Sequence, residues 1–226
     1  MEVSGEYTFD APREMVWDAM QDPDVLGSAM PGGQGFEQIA ENEYVGMLNV
    51  NVGPVQGKFK GNIVLSNVVA PESYNMAVDG KGAPGFVKAS GGMRLTDQGD
   101  KTHMIYEGTA QVGGRIASVG QRLLDVSAKS IIRQSLEGLN EYLKVQLAVR
   151  EAAETAEATG ASPEEVAEVV SAVELPEYVP PSQASVAMNV AKDVASDLVP
   201  PEYRPIAIAG VIILVLFLLC RRRSAG

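Results

Sequence analysis

The side chains able to do acid–base or nucleophilic chemistry are few and scattered. There is one histidine, His103, and one cysteine, Cys220. His103 sits in a run with strand alternation, Thr102 to Val112, where it falls on the face opposite Met104 and Tyr106. It is therefore a poor general base for anything held on the Met104 side. Carboxylates such as Asp79, Asp97 and Asp100 fall at turns and strand ends, with no inward-facing pair that could divide acid and base roles. Gly91-Gly92 and Gly113-Gly114 lack the residues that make a glycine turn into a phosphate loop. One Cys and one His cannot form an intrachain disulfide, a CxxC pair or a His-rich metal cage. No catalytic residue and no metal ligand is expected, and the chain reads as a non-enzyme. A cyclase- or aromatase-like use of Tyr106 is the remaining enzymatic alternative.

The chemistry that the sequence does favour is apolar binding. Glu2 to Asp10 alternates as a strand, Ala11-Pro12 opens a helix through Met20, and Asp22-Pro23 opens a second that ends before Met30-Pro31-Gly32-Gly33. From Phe36 to Gly113 come strands separated by turns: 44–52, 55–68, 74–80, 86–95 and 102–112. Helical spacing of Ile116, Val119, Leu123, Val126, Ile131, Leu136, Leu139 and Leu143 then predicts one long helix from Arg115 to about Val149. The expected fold is α+β, a curved antiparallel sheet of about seven strands gripping a long C-terminal helix. From Val55 to Leu65 the odd positions are apolar or tiny, whereas Gln56, Lys58, Lys60 and Asn62 are polar and face water. The inward set includes Phe59, Ile63, Met76, Met93, Met104 and Tyr106, and the helix adds Gly120, Leu123, Leu124 and Ser127; these ten are the expected ligand-cavity residues. Gly57, Gly61, Gly91 and Gly108 recur on the inner face, either to let the strands curve or to leave room for a ligand to which flexible methionines adapt.

Charge divides the chain into three zones: a domain over 1–149, an acidic linker over 150–204 and an apolar tail over 205–226. Of the net −11, residues 151–204 carry −9, with eleven acids against Lys192 and Arg204. The tail adds +3 through Arg221, Arg222 and Arg223, which leaves −5 on the first 150 residues. That sign is wrong for gripping phosphates, so nucleic acid is not an expected partner. The linker is rich in Ala, Glu and Pro, and Gly160 and six prolines from Pro163 to Pro201 divide it. It reads as a flexible tether with short transient helices or docking helices at Val166–Val173 and Val186–Leu198; as a coil, the 54 residues 151–204 reach on the order of 40 Å.

The run from Ile206 to Cys220 is apolar throughout and contains Val211, Leu214, Phe217 and Leu219 before the three arginines. As a helix it is about 23 Å long against a hydrocarbon core of about 30 Å, so it spans narrowly or embeds partway. Cys220 reads as one more apolar residue, with acylation the alternative. The N-terminus has neither a basic region nor an apolar stretch of the kind a signal peptide needs. The expected location is therefore the cytoplasmic face of the cell membrane, with C-terminal anchoring and membrane lipid as a partner.

Taken together, Gly5, Ala11-Pro12, Val16-Trp17, Met30-Pro31-Gly32, Gly53-Pro54-Val55 with Gly57, Phe59 and Gly61, Gly80-Lys81-Gly82, Thr102, Tyr106 and the run Gly113 to Arg122 resemble the CoxG family of carbon monoxide dehydrogenase subunits. That family lies within the START/polyketide-cyclase-like (SRPBCC) helix-grip superfamily, and the resemblance covers about residues 1–147. Ala29 departs from it, since relatives often carry Cys there, and no thiol role follows. The resemblance implies an accessory protein of a carbon monoxide dehydrogenase-like molybdenum hydroxylase complex. It also implies a hydrophobic small molecule in the grip cavity, held non-covalently, for which isoprenoid quinone fits best, with no covalently bound cofactor. The alternative is a membrane recruitment or assembly factor for that dehydrogenase whose cavity is only packed core.

Overall fold

A computed structural model describes residues 1–158 of the chain. The anchor residues Ile206, Val211, Leu214, Phe217, Leu219 and Arg221 to Arg223, and most of the linker, lie outside the described residues. Among the described residues no helix is long and apolar enough to cross a membrane.

Strand β1 (Glu2–Phe9) leads into α1 (Arg13–Gln21) and α2 (Pro23–Ala29). Pro12 precedes the first turn of α1, and Pro23 opens α2, where a missing N–H is not missed. Asp22 caps α2: its Oδ1 accepts from the Asp24 and Val25 amides at 2.8 and 3.3 Å. Six strands follow as a meander: β2 (Gly33–Ala40), β3 (Glu43–Val52), β4 (Val55–Val69), β5 (Ser73–Gly82), β6 (Gly85–Asp97) and β7 (Thr102–Gly113). The sheet is antiparallel throughout, and its order, β1-β7-β6-β5-β4-β3-β2, brings the first strand beside the last. The sequence delimited every strand but β2, where register shifts at Gln34/Glu37 and Gln38/Ala40 break the alternation that marks a strand.

The long helix differs from expectation at both ends. Arg115–Val119 is a 3-10 turn, closed by Gly120 at φ +93°, a conformation that glycine adopts without a steric penalty. The α-helix proper, α3, therefore runs Gln121–Ala158. The apolar spacing fades after Val149, but Ala152, Ala153, Ala156 and Ala158 favour helix, and Arg150 pairs with Glu154 one turn on at 2.9 Å.

The apolar side chains gather in two separate clusters. The larger joins Phe9, Val16, Trp17, Val25, Tyr44, Leu65, Tyr74, Met93, Leu95 and Met104 to Leu136, Leu139 and Leu143 of α3. The Trp17 ring meets Tyr74 edge-on at 5.7 Å. The smaller joins Val52, Val55, Phe59, Ile116 and Leu124 near the 3-10 turn. A polar clamp ties β1 to α3 beside the larger cluster. The Asp10 amide donates to Asn140 Oδ1 at 2.8 Å, and the Asp10 carboxylate receives Lys101 Nζ at 2.8 Å and Asn140 Nδ2 at 3.3 Å. Hydrogen bonding from Lys101, then Asn140, lowers the Asp10 pKa to about 2.

Candidate ligand site

Cross-strand register shows which inward positions adjoin. One row runs Ala110–Ala89–Val78–Ile63–Tyr44, and the next Val112–Val87–Gly80–Gly61–Gly46. Ile63 packs on the edge of the larger cluster, while Val87 and Val112 pack on the smaller. Gly61 and Gly80, directly paired, thus lie on the inner face between the two.

What a side chain at each inner glycine would meet separates curvature from room. A Cβ on Gly57 would strike the Pro84 ring. One on Gly91 would strike the Glu107 carbonyl oxygen, and one on Gly108 would lie 2.8 Å from the Ser90 carbonyl oxygen. At those three the missing Cβ lets backbone or proline approach closely. Gly46 is covered by the Phe36 ring. Gly61 differs: among the described residues only Gly80 Cα lies within 4 Å, at 3.9 Å. At Gly80 the nearest atom is the Val87 carbonyl oxygen at 3.6 Å. The close-approach reading therefore holds at Gly57, Gly91 and Gly108, whereas at the Gly61–Gly80 pair an added Cβ would meet its neighbours only at ordinary contact distance.

The ten expected cavity residues do not line one space. Phe59 and Leu124 are buried together in the smaller cluster, with Leu123 against it. Gly120 is the joint between the 3-10 turn and α3, and nothing among the described residues lies within 4 Å of a Cβ there. Met93 and Met104 are buried in the larger cluster, with Ile63 and Tyr106 packed on it. The Tyr106 ring lies across Gly5, where a Cβ would collide with it, and burial raises the phenol's pKa, so it stays protonated at neutral pH. Met76 is inward by register, opposite Leu65 and Gly91, but 36% exposed and outside both clusters. Ser127 is buried on a stripe with Ser130 and Gln134, roughly opposite the Leu136, Leu139 and Leu143 stripe of α3. Gln134 Nε2 donates to Ser130 Oγ at 3.0 Å, whereas Ser127 Oγ has no hydrogen-bond partner among the described residues.

Sequence reasoning missed Gly80 and the Ser130–Gln134 pair. Alternation from Met76 and Val78 reaches Gly80, but its meeting with Gly61 depends on register. The i, i+3, i+7 spacing of Ser127, Ser130 and Gln134 was legible as a stripe. A groove of about 800 Å³ crosses the outer face, lined mostly by outward residues such as Ser4, Asn75, Ser90 and Glu107, and Met76, Gly91 and Gly108 also border it. His103 is also outward, with Nε2 3.6 Å from Glu6 and Nδ1 3.3 Å from Thr8 Oγ1. Among the described residues no group of His, Cys, Asp or Glu is placed to hold a metal.

The sequence profile of CoxG, a carbon monoxide dehydrogenase subunit, matches residues 5–144. The chain belongs to that family. CoxG membership takes in nearly the whole gripping domain, from within β1 to well along α3. A conserved protein from Geobacillus kaustophilus has a similar structure, with 31% identity and a TM-score of 0.61, over 64% of this chain and 95% of that one. A protein from Thermus thermophilus is 15% identical, with a TM-score of 0.49, over 63% of this chain and 97% of that one. An aromatase/cyclase from Streptomyces is 16% identical, with a TM-score of 0.49, over 65% and 95%. No curated protein matches the chain. The CoxG domain here has the START-like helix-grip fold, a seven-stranded antiparallel sheet with a long C-terminal helix.

Proposed function

We propose that this chain is a membrane-tethered, non-catalytic carrier of an apolar ligand, isoprenoid quinone by class, working beside a carbon monoxide dehydrogenase-type molybdenum hydroxylase. The observation that carries the reading is the division of the apolar interior into two clusters, with the uncrowded Gly61–Gly80 pair on the inner face between them. Half-buried Ile63, Val78 and Val87 border that pair. An isoprenoid chain laid there meets aliphatic walls, and ten buried methylene-sized groups favour transfer by on the order of 8 kcal/mol before the costs of binding. Family membership points to the partner. The apolar run at 206–220, followed by Arg221 to Arg223, supports anchoring at the cytoplasmic face of the cell membrane.

In this reading the dehydrogenase does the redox chemistry and this chain solves a partition problem. The ligand passes from bilayer to inner face without crossing water, and the long linker lets the loaded domain reach the enzyme. The test is to extract full-length protein from its own membranes, and residues 1–158 in parallel, with organic solvent and to identify what is released by mass spectrometry. Stoichiometric quinone from both is expected. Protein free of any apolar ligand, with the dehydrogenase still co-purifying with the full chain, would overturn the carrier and leave a recruitment factor.

A further inference from the structure

The outward face of the sheet is electrically divided. Near the starts of β4 and β6, register lines up Met47, Lys60, Lys81 and Phe86 in one row across four strands, with Lys58 and Lys88 in the flanking rows. Toward the other end the same face carries Glu2, Glu6 and Glu107, with Arg94 as the base in the Glu6 row. Asp79 is the acid among the four lysines, 3.6 Å from Lys81 and 4.0 Å from Lys88. Lys60 directly faces Lys81, a like-charge pair that destabilises an antiparallel sheet. Phe86 and Met47 stand 40% and 41% exposed at the two ends of the row, with the Phe86 ring lying over Gly113. The first 150 residues carry −5, so a basic patch here is not a by-product of composition.

Facing lysines between exposed apolar side chains are unfavourable in water and are relieved by a surface both anionic and apolar. We propose that this row is where the domain rests on an anionic lipid bilayer. Lys58, Lys60, Lys81 and Lys88 engage headgroup phosphates, while Phe86 and Met47 enter the interfacial layer. The ammonium groups are point charges on flexible stems, suited to a fluid array of phosphates. The row shares an end of the sheet with the smaller cluster and lies next to Gly61–Gly80 on the reverse of the same strands. Docking there holds the ligand site one sheet thickness from the bilayer surface, and this part of the inference rests on the carrier reading.

The test uses residues 1–158, which hold both clusters and correspond to nearly the whole of the Geobacillus protein. Sedimentation is measured with phosphatidylcholine vesicles and with vesicles containing about one third phosphatidylglycerol. Binding to the anionic vesicles only, lost in high salt, is expected. Lys60→Glu turns the Lys60–Lys81 repulsion into an attraction, so it should raise Tm while weakening vesicle binding at least ~10-fold. Phe86→Ser should weaken binding about fivefold and leave the salt dependence intact. Equal binding to both vesicle types, no binding to either, or binding unchanged by Lys60→Glu would overturn the proposal. So would a Lys60→Glu defect confined to binding of a 159–204 peptide, which would identify the chain's own linker as the occupant. Ligand content of the same proteins separates the two ideas: quinone in Lys60→Glu protein leaves the carrier standing when docking fails, and empty protein that still binds vesicles leaves docking standing when the carrier fails.

Discussion

The two apolar clusters differ in what covers them and in how finished they are. The larger draws on α1, α2, β1 and the Leu136–Leu143 stripe, holds side chains such as Phe9, Val16 and Leu143 at 1% exposure or less, and is fastened at its rim by the Asp10 clamp. The smaller has five buried members, no comparable clamp among the described residues, and borders a pair of glycines at which an added Cβ would meet nothing closer than 3.6 Å. The first buries more apolar side chains than the second, and in the carrier reading the second is the end that gives way to a ligand. In that reading a single domain is both stable and adaptable because the two demands fall on different ends of one sheet.

Substitutions can break or sharpen that contrast. Leu143→Ala opens a void in the finished cluster and should cost about 3 kcal/mol in urea unfolding, against about 1.5 kcal/mol for Leu124→Ala in the smaller one. Equal costs would erase the distinction. Among the glycines, Gly91→Ala should cost more than ~2 kcal/mol, since backbone must shift, whereas Gly61→Ala should change stability by less than ~0.5 kcal/mol. Thermal melts of the pair check this directly. Thr102→Val removes a fully buried hydroxyl that donates to the Ala11 carbonyl at 2.7 Å, and a loss of about 1.5 kcal/mol is expected at the rim of the larger cluster.

The Asp10 clamp gives a small effect with a sign in pH. Its carboxyl titrates at about 2 in the folded chain, below the ordinary value of 3.8, so its contribution is complete above pH 4 and is lost as pH falls from about 4 to 2. Asp10 is half exposed, and Asp10→Asn should cost about 0.5–1 kcal/mol at neutral pH. The variant and the parent should converge as pH approaches 2, read from urea midpoints across that range.

Much of this was legible in the chain itself. The caps and prolines at Pro12, Asp22 and Pro23 fixed where both short helices begin, and strict alternation fixed the faces of β4 to β7. What escaped was information that no single segment carries. Alternation puts Gly57, Gly61, Gly91 and Gly108 on one face but cannot say that Pro84 fills the space at Gly57 while Gly61 is uncrowded; that depends on a turn some 25 residues away and on cross-strand register. Helical spacing likewise ran through Gly120, because apolar periodicity does not see a backbone torsion. The Lys60–Lys81 confrontation was hidden for the same reason: each lysine is unremarkable on its own strand.

The central claim, that the interior yields to an apolar ligand at one end only, is tested most directly by methyl NMR of residues 1–158 during titration with a short-chain quinone. Saturable shifts confined to Ile63, Val78, Val87 and Leu124, with Leu139 and Leu143 unmoved, are the predicted result. Methyl signals that stay put throughout, or that move first in the Leu136–Leu143 stripe, would contradict it.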